Sequence, residues 1–160
     1  MASELNVQIS VAVLEPQELT AQEQQAMQLA QEAANDAYAP YSNFLVGAAL
    51  VLEDGTIFEG SNQENAAYPS GLCAERTALF ALSAHHPKAK IKLLAVTARR
   101  RHEQHHLPAM PCGACRQVMS EYEFKQKEPI PVLLQAADGK FYRFRNVSDL
   151  LPFQFTPEHL

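Results

Sequence analysis

The segments Cys73-Ala74-Glu75-Arg76 and Pro111-Cys112-Gly113-Ala114-Cys115-Arg116-Gln117 contain all three cysteines of this 160-residue chain. Two of these cysteines have the spacing Cys-x-x-Cys, and three thiolates leave the fourth position of a tetrahedral zinc ion open for water. Glu75 lies two residues from Cys73, close enough to contact such a water without binding the metal. The two segments therefore predict a hydrolytic zinc site with a carboxylate that carries protons.

Each cysteine segment is predicted to begin a helix. Residues 74–84 are apolar over much of a helical surface, and Pro111 suits the first turn of a second helix over about residues 112–124. At the start of a helix, the unpaired N–H groups and the positive end of the dipole stabilise thiolates. The predicted positions of the cysteines therefore favour metal binding.

Hydrophobic periodicity gives the remaining elements. An amphipathic helix is predicted from Pro16 to about Tyr38, where Pro40 follows. Buried strands are predicted over residues 46–52, 57–59, 93–98, 131–135 and 141–144, the first two joined by the turn at Asp54-Gly55. The resulting order, α-β-β-α-β-α-β-β, predicts an α/β fold with a mixed five-stranded sheet covered by helices.

Length and composition are those of one compact domain over residues 1–160, with residues 1–15 as a peripheral N-terminal arm or strand. Hydrophobic residues make up 47% of the chain, charged residues 19%, and the formal net charge is −5. An acidic chain is a poor partner for nucleic acid and suits a small or neutral substrate better. Neither a signal peptide nor an apolar run of ~20 residues is recognisable, so we expect a cytoplasmic protein without membrane contact.

Three thiolates around a divalent cation leave a net charge of −1, which makes a bound water a weaker acid. Arg76 and Arg116, each beside a cysteine segment, are predicted to donate hydrogen bonds to thiolate sulfur and offset this charge. The alternative for either arginine is a surface ion pair. Asn62 and Glu64 offer groups that recognise hydroxyls without positive charge, which suits a sugar better than a phosphate; the alternative is a turn residue and a solvated carboxylate.

Four motifs, taken together and in order, resemble those of the short, homotetrameric cytidine deaminases, and the similarity covers roughly residues 20–155. They are Tyr41-Ser42-x-Phe44-x-Val46-Gly47-Ala48-Ala49, Gly60-x-Asn62-x-Glu64-Asn65-Ala66-x-Tyr68, Cys73-Ala74-Glu75-Arg76 and Pro111-Cys112-Gly113-x-Cys115-Arg116-Gln117. The resemblance implies a three-layer α-β-α fold. The first 15 residues, the connection over residues 99–109 and Met110, where a serine is common, depart from the family pattern.

The resemblance also implies a role for each site residue. One zinc ion per chain would be bound by the three thiols, Cys73, Cys112 and Cys115. Glu75 would act as general acid and base, and Phe44 would pack against the pyrimidine. Asn62 and Glu64 would bind ribose hydroxyls, and Phe155 would reach the site of a neighbouring subunit in a homotetramer.

The implied reaction is hydrolytic deamination of free cytidine and deoxycytidine to uridine and deoxyuridine with release of ammonia, a step of pyrimidine salvage. Zinc-bound hydroxide would attack carbon 4 of the ring while Glu75 moves the protons. Zinc would be the cofactor, and the partners would be a small nucleoside and further copies of the chain.

Three other interpretations remain open at this stage. His102-Glu103-Gln104-His105-His106 matches the zinc-protease motif H-E-x-x-H, although nearby prolines argue against the helix that this motif needs. One of these histidines could instead complete a closed Cys-Cys-Cys-His site, which would make the protein a zinc-stabilised, non-catalytic binding module. Finally, Arg99-Arg100-Arg101 could indicate a deaminase of cytosine in RNA or DNA.

Overall fold

The computed structural model describes residues 3–160, so that Met1 and Ala2, the start of the predicted arm, lie outside the described residues. Its helices are α1 (Ala21–Ala33), α2 (Ala74–His85) and α3 (Gly113–Gln126). Its strands are β1 (Ala12–Leu14), β2 (Phe44–Leu52), β3 (Ile57–Ser61), β4 (Ile91–Arg100), β5 (Val132–Gln135) and β6 (Phe141–Phe144). No helix within residues 3–160 combines the length and the apolar character needed to cross a membrane.

The strands form one mixed sheet in the order β1-β6-β5-β4-β2-β3. β4 and β5 are parallel, and every other neighbouring pair is antiparallel. The prediction of five strands is wrong by one, because residues 12–14 of the expected arm join the sheet edge, with Ala12 opposite Arg143 and Leu14 opposite Phe141. Pairing is limited to these three residues, and Phe144, the last residue of β6, has no partner in β1.

The three-layer α-β-α architecture is confirmed by the packing of the two sheet faces. On one face, Ala26 and Met27 of α1 pack with residues such as Val51 and Leu133 of the sheet. On the opposite face, α2 and α3 cover the alternate sheet residues, among them Leu50, Leu94 and Val96. This second face carries the cysteine segments, so the site lies on the side of the sheet that α2 and α3 cover.

The first helix is shorter than predicted at both ends. Thr20 precedes it with a capping box, in which the Thr20 hydroxyl accepts from the Glu23 amide and the Glu23 carboxylate accepts from the Thr20 amide. This cap stabilises a helix that begins at Ala21, while residues 16–18 and 34–36 form separate 3-10 turns. Polar periodicity alone does not distinguish these turns from the helix.

Two glycines permit the helices to lie close to the sheet. A Cβ atom at Gly47 would lie 1.8 Å from the Ala30 carbonyl oxygen in α1. A Cβ atom at Gly60 in β3 would lie 2.6 Å from the Ala78 amide nitrogen and 2.9 Å from the Ala74 carbonyl oxygen in α2. The position of α2, and with it the start of the first cysteine segment, therefore depends on the missing side chain at Gly60.

Candidate active site

The three thiols meet where α2 and α3 begin. Cys73 and Cys112 each lie directly before their helix, and Cys115 lies in the first turn of α3. Their Sγ atoms all lie within 4.8 Å of one another, and those of Cys73 and Cys112 are 3.9 Å apart. Tetrahedral zinc with Zn–S bonds of about 2.3 Å separates its sulfur ligands by about 3.8 Å, so the cluster fits zinc. Among residues 3–160 this metal-binding cluster consists of the three cysteines, with no histidine.

The surroundings of Cys73 favour its thiolate form. A hydrogen bond from the Cys115 thiol, together with one from Arg76, lowers the pKa of Cys73 to about 5. The same interaction raises the pKa of Cys115, which is fully buried and also lies near Glu75. The predicted contact of Arg76 with sulfur is present, since its Nη2 lies 3.8 Å from the Cys73 Sγ atom.

Arg116 differs from the prediction. Its Nε donates to the Pro111 carbonyl oxygen at 2.8 Å, and its Nη1 donates to the Leu150 carbonyl oxygen at 3.1 Å. Within residues 3–160 the structure records these two backbone oxygens as partners of Arg116 and no hydrogen bond to thiolate sulfur. Arg116 instead ties the residue before Cys112 to the C-terminal segment.

Glu75 is the second residue of α2 and is only 3% exposed. Burial raises the pKa of this carboxyl, and the negative charge of Cys73 contributes in the same direction. The side chain lines the same cavity as Cys73 and Cys112. A buried carboxyl with a raised pKa beside a metal-binding cluster has the properties of a group that gains and loses a proton during a reaction.

The cavity beside the thiols has a volume of about 770 Å³, within the usual range for small-molecule sites. Phe44 and Val46 of β2 contribute to one apolar wall, and Val96 and Ala98 of β4 lie beside them. The loop before Cys73 and residues 108–110 complete the lining. Such a flat, mostly apolar space next to polar groups suits an aromatic ring that carries a sugar.

Asn62 and Glu64 both line the cavity, and the side chain of each is anchored by hydrogen bonds with backbone groups. The Asn62 Oδ1 accepts from the Val46 amide at 2.7 Å, and its Nδ2 donates to the Phe44 carbonyl oxygen at 2.9 Å. The Glu64 Oε2 accepts from the amides of Tyr41 and Ser42 at 2.9 and 3.3 Å. One amide N–H of Asn62 and the Oε1 of Glu64 have no hydrogen bond within residues 3–160.

Phe155 does not line the cavity of its own chain. Its ring is 57% exposed and stacks on His159 with 5.5 Å between the ring centroids, while its carbonyl oxygen accepts from Gln117 Nε2. The role of Phe155 at the site of a neighbouring subunit stays a prediction.

The sequence analysis did not single out Val96 and Ala98 as site residues, although it predicted their strand. They line the cavity because β4 is paired with β2 along its whole length, with Ala98 opposite Val46. The prediction that residues 46–52 form a buried strand was the available signal, since a side chain on one strand shares its face with the residue directly opposite.

The H-E-x-x-H match lies in a turn that follows β4, outside any helix. Glu103 contacts His105 at 3.0 Å and Arg100 at 3.7 Å, and the His106 Nδ1 contacts the Thr97 hydroxyl at 3.0 Å. These side chains are therefore engaged in local contacts, which argues against both the protease and the closed-site interpretation.

A three-thiol cluster at two helix N-termini, with a buried carboxyl at a nucleoside-sized cavity, defines a zinc-dependent hydrolytic enzyme of the α/β class. Residues 20–127 match the family model described as the cytidine and deoxycytidylate deaminase zinc-binding region. The chain belongs to this family, and zinc is its cofactor.

Similar proteins agree with this assignment. A cytidine deaminase of Sporosarcina psychrophila is 43% identical over 129 residues, covering 81% of this chain and 88% of the relative. One from Halalkalibacterium halodurans is 39% identical over 137 residues, covering 81% of this chain and 90% of the relative. The crystal structure of cytidine deaminase from Burkholderia pseudomallei matches with a TM-score of 0.71 and 41% identity, covering 86% of this chain and 100% of that one.

Proposed function

We propose that this chain hydrolyses free cytidine and deoxycytidine to uridine and deoxyuridine with release of ammonia, as an enzyme of pyrimidine salvage. One observation carries the proposal: the buried Glu75 and two of the three clustered thiols, Cys73 and Cys112, line a cavity that is also lined by Asn62 and Glu64. The reacting groups and the sugar-binding groups are thus part of one site. The cytidine deaminases that are similar over most of the chain support the same reaction.

The substrate is oriented by its sugar and its ring. The free N–H of Asn62 donates to a ribose hydroxyl, and the Oε1 of Glu64 accepts from one. Phe44, half-buried at the start of β2, packs against the pyrimidine. Because Asn62 and Glu64 are already fixed by backbone groups, little side-chain freedom is lost when the nucleoside binds.

The reaction forms one carbon–oxygen bond and breaks one carbon–nitrogen bond at carbon 4. Zinc, when bound by Cys73, Cys112 and Cys115, supplies the Lewis acid that makes a water molecule acidic at neutral pH. Glu75 takes a proton from the attacking water and delivers it to ring nitrogen 3, which makes carbon 4 electrophilic. A further proton transfer through Glu75 then allows the exocyclic nitrogen to leave as ammonia.

We further propose that the enzyme works as a homotetramer in the cytoplasm, with Phe155 of one subunit at the site of another. The support is the exposure of the Phe155 ring and its separation from the cavity of its own chain. Subunit mixing tests this arrangement. Glu75→Gln and Phe155→Ala enzymes, each impaired alone, should recover activity when mixed, since some sites then combine an intact Glu75 with an intact Phe155. Absence of recovery despite mixed tetramers would show that Phe155 does not act between subunits.

An oligonucleotide substrate is disfavoured by the contacts of the arginine run. Arg99 donates to the carbonyl oxygens of Arg100 and Arg101 and to the Asn35 side chain, so this guanidinium is used within the chain. Ammonia release from cytidine, deoxycytidine, cytidine monophosphate and a cytosine-containing oligonucleotide should therefore be fastest with the nucleosides. Equal rates with the oligonucleotide would overturn the proposed substrate, and full zinc occupancy without turnover would favour a binding module.

A further inference from the structure

Arg101 and Asn43 join the turn after β4 to the loop before β2. The Arg101 amide donates to the Asn43 carbonyl oxygen at 2.9 Å, and the Arg101 Nε donates to the Asn43 Oδ1 at 3.3 Å. Asn43 has a φ of 55°, a left-handed conformation that asparagine adopts more readily than most residues. Its own amide donates to the Ala39 carbonyl oxygen at 3.2 Å. The backbone and side chain of Arg101 therefore both hold the turn of this loop.

The same loop carries the groups that orient Glu64. The amides of Tyr41 and Ser42, directly before Asn43, donate to one carboxylate oxygen of Glu64. The Ser42 side chain and these amides lower the pKa of Glu64, and the positive charge of Arg101 acts in the same direction. A displacement of Asn43 would therefore move or weaken the hydrogen bonds that point the Glu64 carboxylate into the cavity.

We propose that Arg101 is a positioning residue for ribose recognition, which acts through Asn43 and the Tyr41–Ser42 backbone to fix the Glu64 carboxylate. This inference rests on the proposed function, because it assigns Glu64 to the sugar. Arg101 belongs neither to the metal-binding cluster nor to the residues that line the cavity. Its effect therefore reaches the substrate through the loop and through its charge near Glu64.

The neighbouring arginine provides a matched control. Arg100 lies in the same run of three arginines and carries the same charge, yet its side chain is 62% exposed and within residues 3–160 it pairs with Glu103, at 3.7 Å. Removing Arg100 deletes one positive charge from the same run of arginines, but it leaves the contact with Asn43 intact. The two substitutions therefore separate positioning from a general effect of charge.

Steady-state kinetics of Arg101→Ala and Arg100→Ala test the proposal with cytidine and with 2′,3′-dideoxycytidine, which lacks the 2′- and 3′-hydroxyls that Glu64 is proposed to bind. For Arg101→Ala we expect the cytidine KM to rise about 5- to 20-fold with kcat within about twofold, the pattern of lost uniform binding. The KM of dideoxycytidine, or its competitive inhibition constant, should stay within about twofold. Arg100→Ala should resemble the unmodified enzyme with both compounds.

Two further variants test whether the effect depends on the contact with Asn43 and whether it acts through Glu64. Asn43→Gly keeps the left-handed backbone but deletes the Oδ1 acceptor, so it should reproduce the rise in the cytidine KM even if Arg101→Ala folds poorly. In a Glu64→Ala background, Arg101→Ala should change the cytidine KM by less than about twofold, because both substitutions then remove the same interaction.

Three outcomes would overturn the inference in an enzyme that deaminates cytidine. They are an unchanged cytidine KM in both Arg101→Ala and Asn43→Gly, an equal rise for dideoxycytidine, and a full additional rise in the Glu64→Ala background. An unmodified enzyme that holds zinc but releases no ammonia from cytidine would instead overturn the proposed function itself. The two failures are thus distinguished by the activity of the unmodified enzyme.

Discussion

Replacing Gly60 by alanine should disturb the active site from beneath α2. The new Cβ atom would lie 2.6 Å from the Ala78 amide nitrogen, 2.8 Å from the Ala78 Cβ and 2.9 Å from the Ala74 carbonyl oxygen. Carbon atoms in favourable contact are about 3.5–4.0 Å apart, so α2 and β3 must separate by about 1 Å. Two of these three neighbours are backbone atoms of a packed helix, so a change of side-chain rotamer cannot relieve the clash.

The displacement should reduce both stability and activity. Overpacking of this kind costs about 1–3 kcal/mol of unfolding free energy. Because α2 begins directly after Cys73 and carries Glu75, a movement of about 1 Å at its start should lower kcat/KM about 10- to 100-fold. Zinc content and zinc affinity should fall as well, since the distance from Cys73 to the thiols on α3 changes.

Gly47→Ala is the matched comparison for this experiment. Its Cβ would approach the Ala30 carbonyl oxygen of α1, a helix without any site residue. Both variants should show lower unfolding temperatures in thermal denaturation, but only Gly60→Ala should lose zinc at temperatures where the fold is intact. The reasoning would be refuted if Gly60→Ala retained zinc affinity and kcat/KM within about twofold of the unmodified enzyme.

Three other outcomes are expected. Glu75→Gln should keep one zinc per chain, measured by metal analysis, and lose at least about a hundredfold in deamination rate; a near-normal rate would remove Glu75 from proton transfer. Chelation of zinc should abolish deamination and lower the unfolding temperature while helical circular dichroism persists, because the thiols no longer link the starts of α2 and α3; an unchanged temperature would contradict this link. Burial raises the pKa of Glu23, but hydrogen bonds from the Thr20 amide and from Arg143 outweigh burial and lower the pKa overall. The stabilising contribution of the ionised Glu23 should therefore be present above pH ~4.5 and be lost as the pH falls below that value. In the Glu23→Gln variant the unfolding temperature should therefore decline less steeply between about pH 5 and pH 3. An unchanged decline would show that Glu23 does not contribute to the loss of stability at acidic pH.

The Cys-x-x-Cys part of the thiol cluster could be predicted from local sequence, whereas Cys73, 39 residues before Cys112, was assigned from its residue type and from the family resemblance. Cys112 and Cys115 are three residues apart, and the start of a helix fixes their relative positions. Arg116 could not be placed in the same way, since its second partner, the Leu150 carbonyl oxygen, is 34 residues away. Because Arg116 follows Cys115 in the sequence, a sulfur atom was predicted as its hydrogen-bond acceptor. In the folded chain it donates to a backbone oxygen instead. Sequence patterns therefore do not predict the hydrogen-bond partners of side chains when tertiary packing determines those partners.

The edge of the sheet illustrates the same limit. Alternating apolar residues up to Val13 predicted a strand or an arm, and the structure forms a strand only over the three residues that reach β6. Similarly, the connection over residues 99–109 departs from the family pattern, and its sequence did not predict the contact between Arg101 and Asn43, which lies 58 residues earlier. Periodicity predicts that an element exists, but it does not determine which of its residues pair with the neighbouring strand.

Asn62 shows why recognition and folding cannot be separated at this site. Its side chain bonds both the Val46 amide and the Phe44 carbonyl oxygen, so it extends the hydrogen bonding of β2 just beyond the last residue of β3. Substitution by alanine would leave two backbone groups of β2 without partners and would also remove the proposed ribose contact. A rise in KM in that variant would therefore combine looser positioning of Phe44 with the lost hydroxyl bond. The hydrogen bonds with backbone groups hold the Asn62 and Glu64 side chains in fixed orientations, so that the loop after β3 can present its remaining polar groups to the proposed nucleoside in a defined geometry.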